Sequence, residues 1–205
     1  LFNILYYNIY IAVDRFKWRA VFLRNMEYKQ SHPETCLAKC LLIMAERKLK
    51  KNMPKNQELN LLIASFKYDR ENIARGHLEQ IVKKYKLKIR WYVDSKIFYK
   101  FTKRQKLSER ISLENKKINI KTINEIKPPF ILYLDRFYLW GKNQSKYYRY
   151  HWPHFVIIEK KLKTGYKIMD PDNGKYKIIK KNILITAVNS LKFRLWISPM
   201  IISIQ

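Results

Sequence analysis

The 205-residue chain reads as an α+β fold, a helical half followed by an antiparallel sheet. Three observations predict this. In Gln30-Ser31-His32-Pro33-Glu34-Thr35-Cys36-Leu37-Ala38-Lys39-Cys40-Leu41-Leu42, Pro33 disfavours helix before it, and Leu37, Cys40, Leu41 and Met44 then recur on one helical face. Phe130-Ile131-Leu132-Tyr133-Leu134, after Pro128-Pro129, is a continuous apolar run of buried-strand length. From His154 onward, apolar segments alternate with turn signals, as strands do.

Taken in order, the chain opens on the apolar stretch Leu1 to Val13, which contains two Asn and precedes charge. It is expected to be a core strand or helix. With no initiator Met, a truncated membrane or signal segment is the alternative. Residues 1–24 are taken as an extension and 25–205 as one domain with an insertion near 95–127. The Cys helix should run from Thr35 to Lys50 and break at Asn52-Met53-Pro54. A second helix is expected near Glu58–Phe66. A third, capped by Asp69 or Asn72, should run to Tyr85. Leu87 to Val93 alternates with period two, a strand. Residues 99–127 are polar and basic; the alternating Lys117-Ile118-Asn119-Ile120-Lys121 reads as part of an insertion or edge hairpin. Strands are expected over 154–160, 165–170 and 175–179, a helix over 181–190, and a terminal strand from Leu195 that closes the sheet.

Composition narrows the function. A hydrophobic content of 47% excludes a disordered chain, and no run is long enough for a transmembrane helix. Cys36 and Cys40, one helical turn apart, suit no disulfide framework and point to a reducing, intracellular setting. The net charge of +27 would attract polyanions, nucleic acid or an anionic membrane. The Lys residues, however, are spread along the chain, and with only 4 Gly the bias resembles genome composition. The sequence calls for no cofactor.

The chemistry lies in four residues. Cys36 falls in the first turn of its helix, where unpaired backbone N–H groups and the helix dipole favour negative charge. His154 opens one strand of a predicted hairpin and Asp170 closes the next. Cys, His and Asp are the parts of a nucleophile, a base and an orienter. Gln30 is the candidate donor to an oxyanion hole, together with the Cys36 N–H. Each has a plainer alternative: a core Cys, a turn-forming Asp before Pro171, a solvated loop Gln. His151 competes with His154 as the base but reads as a loop residue. His32, Cys36, Cys40 and His154 include possible zinc ligands, but Pro33 separates His32 from the helix face. The aromatic and basic segment Lys142–Trp152 could stack on bases, so a nucleic-acid-binding module is the main alternative from another class.

The ordered set resembles the bacteriocin-processing cysteine peptidases, papain-like enzymes that remove double-glycine leader peptides. Gln30 stands six residues before Cys36 and Asp170-Pro171 sixteen after His154, with Pro129-Phe130-Ile131-Leu132 ahead of the His. The similarity covers about residue 25 to the end. It implies a papain-like fold with catalytic Cys36, His154 and Asp170 and oxyanion donor Gln30. It also implies cleavage after small residues, a peptide or protein substrate, an ABC-type exporter as partner and a cytoplasmic place at the inner face of a membrane. Thiol acyl transfer or amide hydrolysis on the same fold is a further alternative. Two departures stand out. Leu37 replaces the usual Gly after the Cys and is expected to narrow the cleft mouth or alter the non-primed subsites, and no Gly-x-x-x-x-Gly-Lys motif is present.

Overall fold

In the computed structural model the described residues are 29–54, 57–140 and 150–205. The apolar opening stretch, the proposed 1–24 extension and most of the Lys142–Trp152 segment lie outside them. Seven α-helices and one seven-stranded sheet are present among the described residues. The helices are α1 (Cys36–Leu49), α2 (Gln57–Tyr68), α3 (Ile73–Tyr85), α4 (Lys96–Arg104), α5 (Ile120–Glu125), α6 (Phe137–Trp140) and α7 (Lys181–Phe193). The strands are β1 (Ile89–Val93), β2 (Ile111–Asn115), β3 (Phe130–Asp135), β4 (Pro153–Lys161), β5 (Gly165–Asp170), β6 (Lys175–Lys180) and β7 (Met200–Ile204). The order across the sheet is β2-β1-β7-β3-β4-β5-β6.

Both faces of the sheet are covered, which explains the uninterrupted apolar run in β3. Successive side chains point to opposite faces. Ile131 and Ile157 pack with Leu41 and Met44 of α1 and Leu78 and Ile81 of α3. Phe130, Leu132, Val156 and Ile158 pack with Leu184 and Val188 of α7 and Ile123 of α5. Trp91, Tyr166 and Phe130 are among the largest fully buried side chains.

Three local expectations need correction. Residues 99–127 form no hairpin: α4 is followed by edge strand β2, which pairs parallel with β1, and then by α5. The alternation at Lys117–Lys121 is a helix entry, because Asn119 accepts from the Thr122 N–H at 3.0 Å and Ile118 is a buried loop residue. The sheet is therefore not purely antiparallel, and it recruits β1 and β2 from the helical half. Finally, β7 does not close the sheet at an edge. It lies mid-sheet, antiparallel to both β1 and β3, and its strand begins only at Met200. At the third helix, Asn72 supplies the cap, accepting from the Arg75 N–H at 3.1 Å, while Asp69 accepts from the Asn72 N–H.

His77 on α3 is a buried polar residue with a measurable consequence. Its Nδ1 lies 2.8 Å from the Ile73 carbonyl, so the Nδ1–H tautomer donates there. Burial pushes its pKa down to about 4, with the Ile73 bond a smaller opposing cause. As pH falls from about 6.5 the unfolded chain binds this proton and the folded chain does not, so stability declines until pH reaches about 4. Chemical denaturation between pH 7 and 4 should show the wild type losing about 3 kcal/mol more than a His77→Leu variant. Parallel losses in the two proteins would exclude His77 as the cause.

Candidate active site

The turn before α1 is built from polar side chains. A 3-10 turn, Pro33–Thr35, leads directly into Cys36. The Thr35 hydroxyl lies 2.7 Å from the His32 carbonyl oxygen and also meets Glu58 of α2. Glu58, 2% exposed, accepts from the Ser31 N–H at 2.7 Å and lies 3.8 Å from Lys39 Nζ. One buried carboxylate thus fixes the start of the helix that carries Cys36.

Against that helix start stand the beginning of β4 and the end of β5. His154 Nε2 lies 2.7 Å from Asp170 Oδ1. The Cys36 thiol is near enough to the His154 ring to help raise its pKa. Exposure falls along the series, from 9% at Cys36 to 2% at His154 and 1% at Asp170. The cysteine is the outward member, the one solvent reaches first.

The electrostatics follow from burial and charge. Burial alone would keep His154 neutral. It is outweighed by the Asp170 charge, the Asp170 hydrogen bond and the bond and charge of Cys36, and the imidazole pKa rises to about 10. Burial would raise Asp170, but His154, the Asp172 N–H and Arg136 hold it below the ordinary carboxylate range. Near neutral pH the pair is therefore imidazolium and carboxylate. The His154 contribution to stability is complete below about 6.5 and is lost as pH rises through about 10. That of Asp170 is present above its unfolded value and is lost as pH falls through its lower folded one.

Gln30, 5% exposed, lies beside this group. Its N–H donates to the Pro171 carbonyl at 2.6 Å and its side-chain Nε2 to Asp172 Oδ1 at 3.0 Å. Leu37 is buried in the core cluster around α1. Cys40 is fully buried with its thiol 3.6 Å from the Phe155 carbonyl, and burial pushes its pKa well up. Tyr133, stacked on Phe155 at 4.1 Å, is likewise pushed up by burial and by Cys36.

His151 is not in this group. Its Nδ1 lies 2.6 Å from Oδ2 of fully buried Asp135, which also accepts from the Ser190 hydroxyl and from the Phe137 and Trp152 N–H groups. The two histidines thus have separate carboxylate partners. The sequence hid the contributions of Glu58, Asp172 and Arg136. Only the Asp-Pro-Asp run carried a signal, and it read as a turn. Among the described residues no cluster of three or more His, Cys, Asp or Glu is arranged to hold a metal, and no helix is long and apolar enough to cross a membrane.

No protein-family model matches the chain, and no curated protein does.

NMR titration of the imidazole offers a direct check. His154 should titrate near 10 in the wild type, lower in Cys36→Ala and lower still in Asp170→Asn, in the order of the charges removed. An unchanged His154 in Cys36→Ala would mean that the thiol and ring do not interact.

Proposed function

We propose that the protein is a papain-like cysteine peptidase related to the bacteriocin-processing enzymes, hydrolysing a peptide bond after small residues such as a Gly-Gly leader end. The observation that carries this is the buried His154–Asp170 pair at 2.7 Å, with the Cys36 thiol at the first residue of α1 near enough to act on the ring. The chain order Gln30, Cys36, His154, Asp170 and its spacing add support.

In the proposed mechanism the substrate peptide binds extended between the start of α1 and the strand ends. His154 takes the Cys36 thiol proton, the sulfur attacks the scissile carbonyl, and the Gln30 amide and the Cys36 N–H stabilise the oxyanion. His154 gives its proton to the leaving amine, and the acyl-enzyme forms. His154 then deprotonates a water, which releases the acyl group. Asp170 keeps the ring in position and stabilises its charged form. The substrate is a peptide or protein, and an ABC-type exporter at the cytoplasmic face of a membrane is the partner that the resemblance implies.

A thiol-directed electrophile with mass spectrometry tests the nucleophile. Cys36 should label rapidly near neutral pH in the wild type and in Cys40→Ala, and slowly in His154→Ala. Cys36→Ala should abolish peptide cleavage, His154→Ala should cost nearly as much, on the order of 10³-fold or more, and Asp170→Asn should cost less. Equal, sluggish labelling of both cysteines, indifferent to His154→Ala, would return Cys36 to an ordinary core role.

A further inference from the structure

We propose that Asp172 is a positioning residue that aims the Gln30 amide at the Cys36 reaction centre, with Arg136 holding and neutralising Asp172. The inference rests on the cysteine-peptidase mechanism above and assigns a task to two residues outside its Cys–His–Asp set.

The turn between β5 and β6 carries the contacts that hold Gln30. Asp170 Oδ1 accepts from His154 Nε2 and also from the Asp172 N–H at 2.9 Å. The next residue, Pro171, accepts the Gln30 N–H through its carbonyl, and Asp172 accepts the Gln30 side chain. Gln30 is thereby gripped at backbone and side chain by consecutive residues of the same turn that orients the base. A glutamine side chain has several rotatable bonds, and an oxyanion donor is effective only when its direction is set before reaction. The amide is planar, so a bond from one N–H to Asp172 Oδ1 fixes the plane and with it the direction of the second N–H.

A carboxylate beside a developing oxyanion would oppose the negative charge. Arg136 answers this: its NH1 lies 3.4 Å from Asp172 Oδ2, on the oxygen that Gln30 does not use. Asp172 and Arg136 are both largely shielded, with side chains 14% and 15% exposed, so the pair is incompletely screened by solvent. The arrangement couples Arg136 at the end of β3, the turn after β5, and the loop before α1 into one support for the donor.

Two probes separate oxyanion stabilisation from thiol reactivity in the full chain. p-Nitrophenyl acetate acylates a thiolate through a tetrahedral oxyanion; the S–C bond forms, and the C–O bond breaks as p-nitrophenolate leaves. Iodoacetamide alkylates it by direct displacement of iodide and forms no oxyanion. Gln30→Ala should slow acylation of Cys36 by about 10²-fold and Asp172→Ala by about 10-fold, with alkylation within about twofold of wild type for both. Asp172→Asn keeps an acceptor oxygen for Gln30 and should restore acylation to within about threefold of wild type. The double variant Gln30→Ala/Asp172→Ala should be no slower than Gln30→Ala alone, because Asp172 acts through Gln30. Normal acylation in Asp172→Ala, an additive double variant, or equal slowing of both reactions would each overturn the proposal. Should Asp172→Ala fail to fold, Arg136→Gln serves: acylation several-fold slower with normal alkylation supports the assignment, and unchanged acylation overturns it. If neither reagent modifies Cys36 in the wild type, the peptidase mechanism fails and this assignment falls with it. If both do and only the variants behave otherwise, the peptidase mechanism stands and this assignment alone falls.

Discussion

A buried imidazole cannot carry charge unless a carboxylate is buried against it. Burial of His154 favours the neutral ring, and burial of Asp170 favours the neutral acid. At 2.7 Å each reverses the other's preference. Losing one partner would leave an uncompensated charge in the interior, a penalty of about 3–5 kcal/mol. The architecture around the pair serves this contact. Pairing of β3, β4 and β5 brings residue 154 near residue 170, and the bulge between Ile158 and Lys160 is absorbed farther along the ladder, away from the pair.

The helix start depends on the same logic from the other side. Cys36 is placed at the first residue of α1 because the Pro33–Thr35 turn leads directly into that helix. Glu58 then ties Ser31 and Thr35 to α2. Gln30, just upstream, is tied to the β5–β6 turn. Two carboxylates from different elements therefore fix the six residues Gln30 to Thr35 ahead of α1. Such a segment would otherwise carry many conformations, and ordering it costs about 1–2 kcal/mol of backbone entropy per residue.

Where one local pattern decided the outcome, the sequence was readable. The periodicity around Cys40 and Leu41 predicted α1 to within a residue at each end, and the apolar run of β3 and the strands around Gly165 were equally clear. The pairing of His154 with Asp170 was legible through order and spacing. Other features depend on partners remote in the chain. Alternation at Lys117–Lys121 imitates a strand, yet Asn119 competes as a helix cap and Ile118 is needed in the core. Pairing of β1 with both β2 and β7 is a choice among edges that no single segment encodes. Asp172 looked like a turn former because its local bonds are those of a turn; Gln30 lies 142 residues away. His151 looked like a loop residue because its anchor, Asp135, sits at the end of another strand.

The charge balance acquires a structural meaning from the same observations. Against 43 basic residues the chain has only 16 acidic ones, and many of these are committed inside the fold. Glu58 fixes the Cys36 turn, Asp69 pairs with Arg75 at 2.6 Å, and Glu79 accepts from the Ser108 N–H at 2.9 Å. Asp135 gathers four donors, and Asp170 and Asp172 hold His154 and Gln30. Five of these six are buried, and each accepts bonds from groups that would be costly to leave unpaired. Carboxylates drawn inward are removed from the surface, where Lys and Arg then dominate. The basic character of the surface is thus sharpened by spending scarce acids on internal contacts. A lost internal carboxylate would be felt first as a misplaced loop or ring, and only secondarily as a change in the field around the protein.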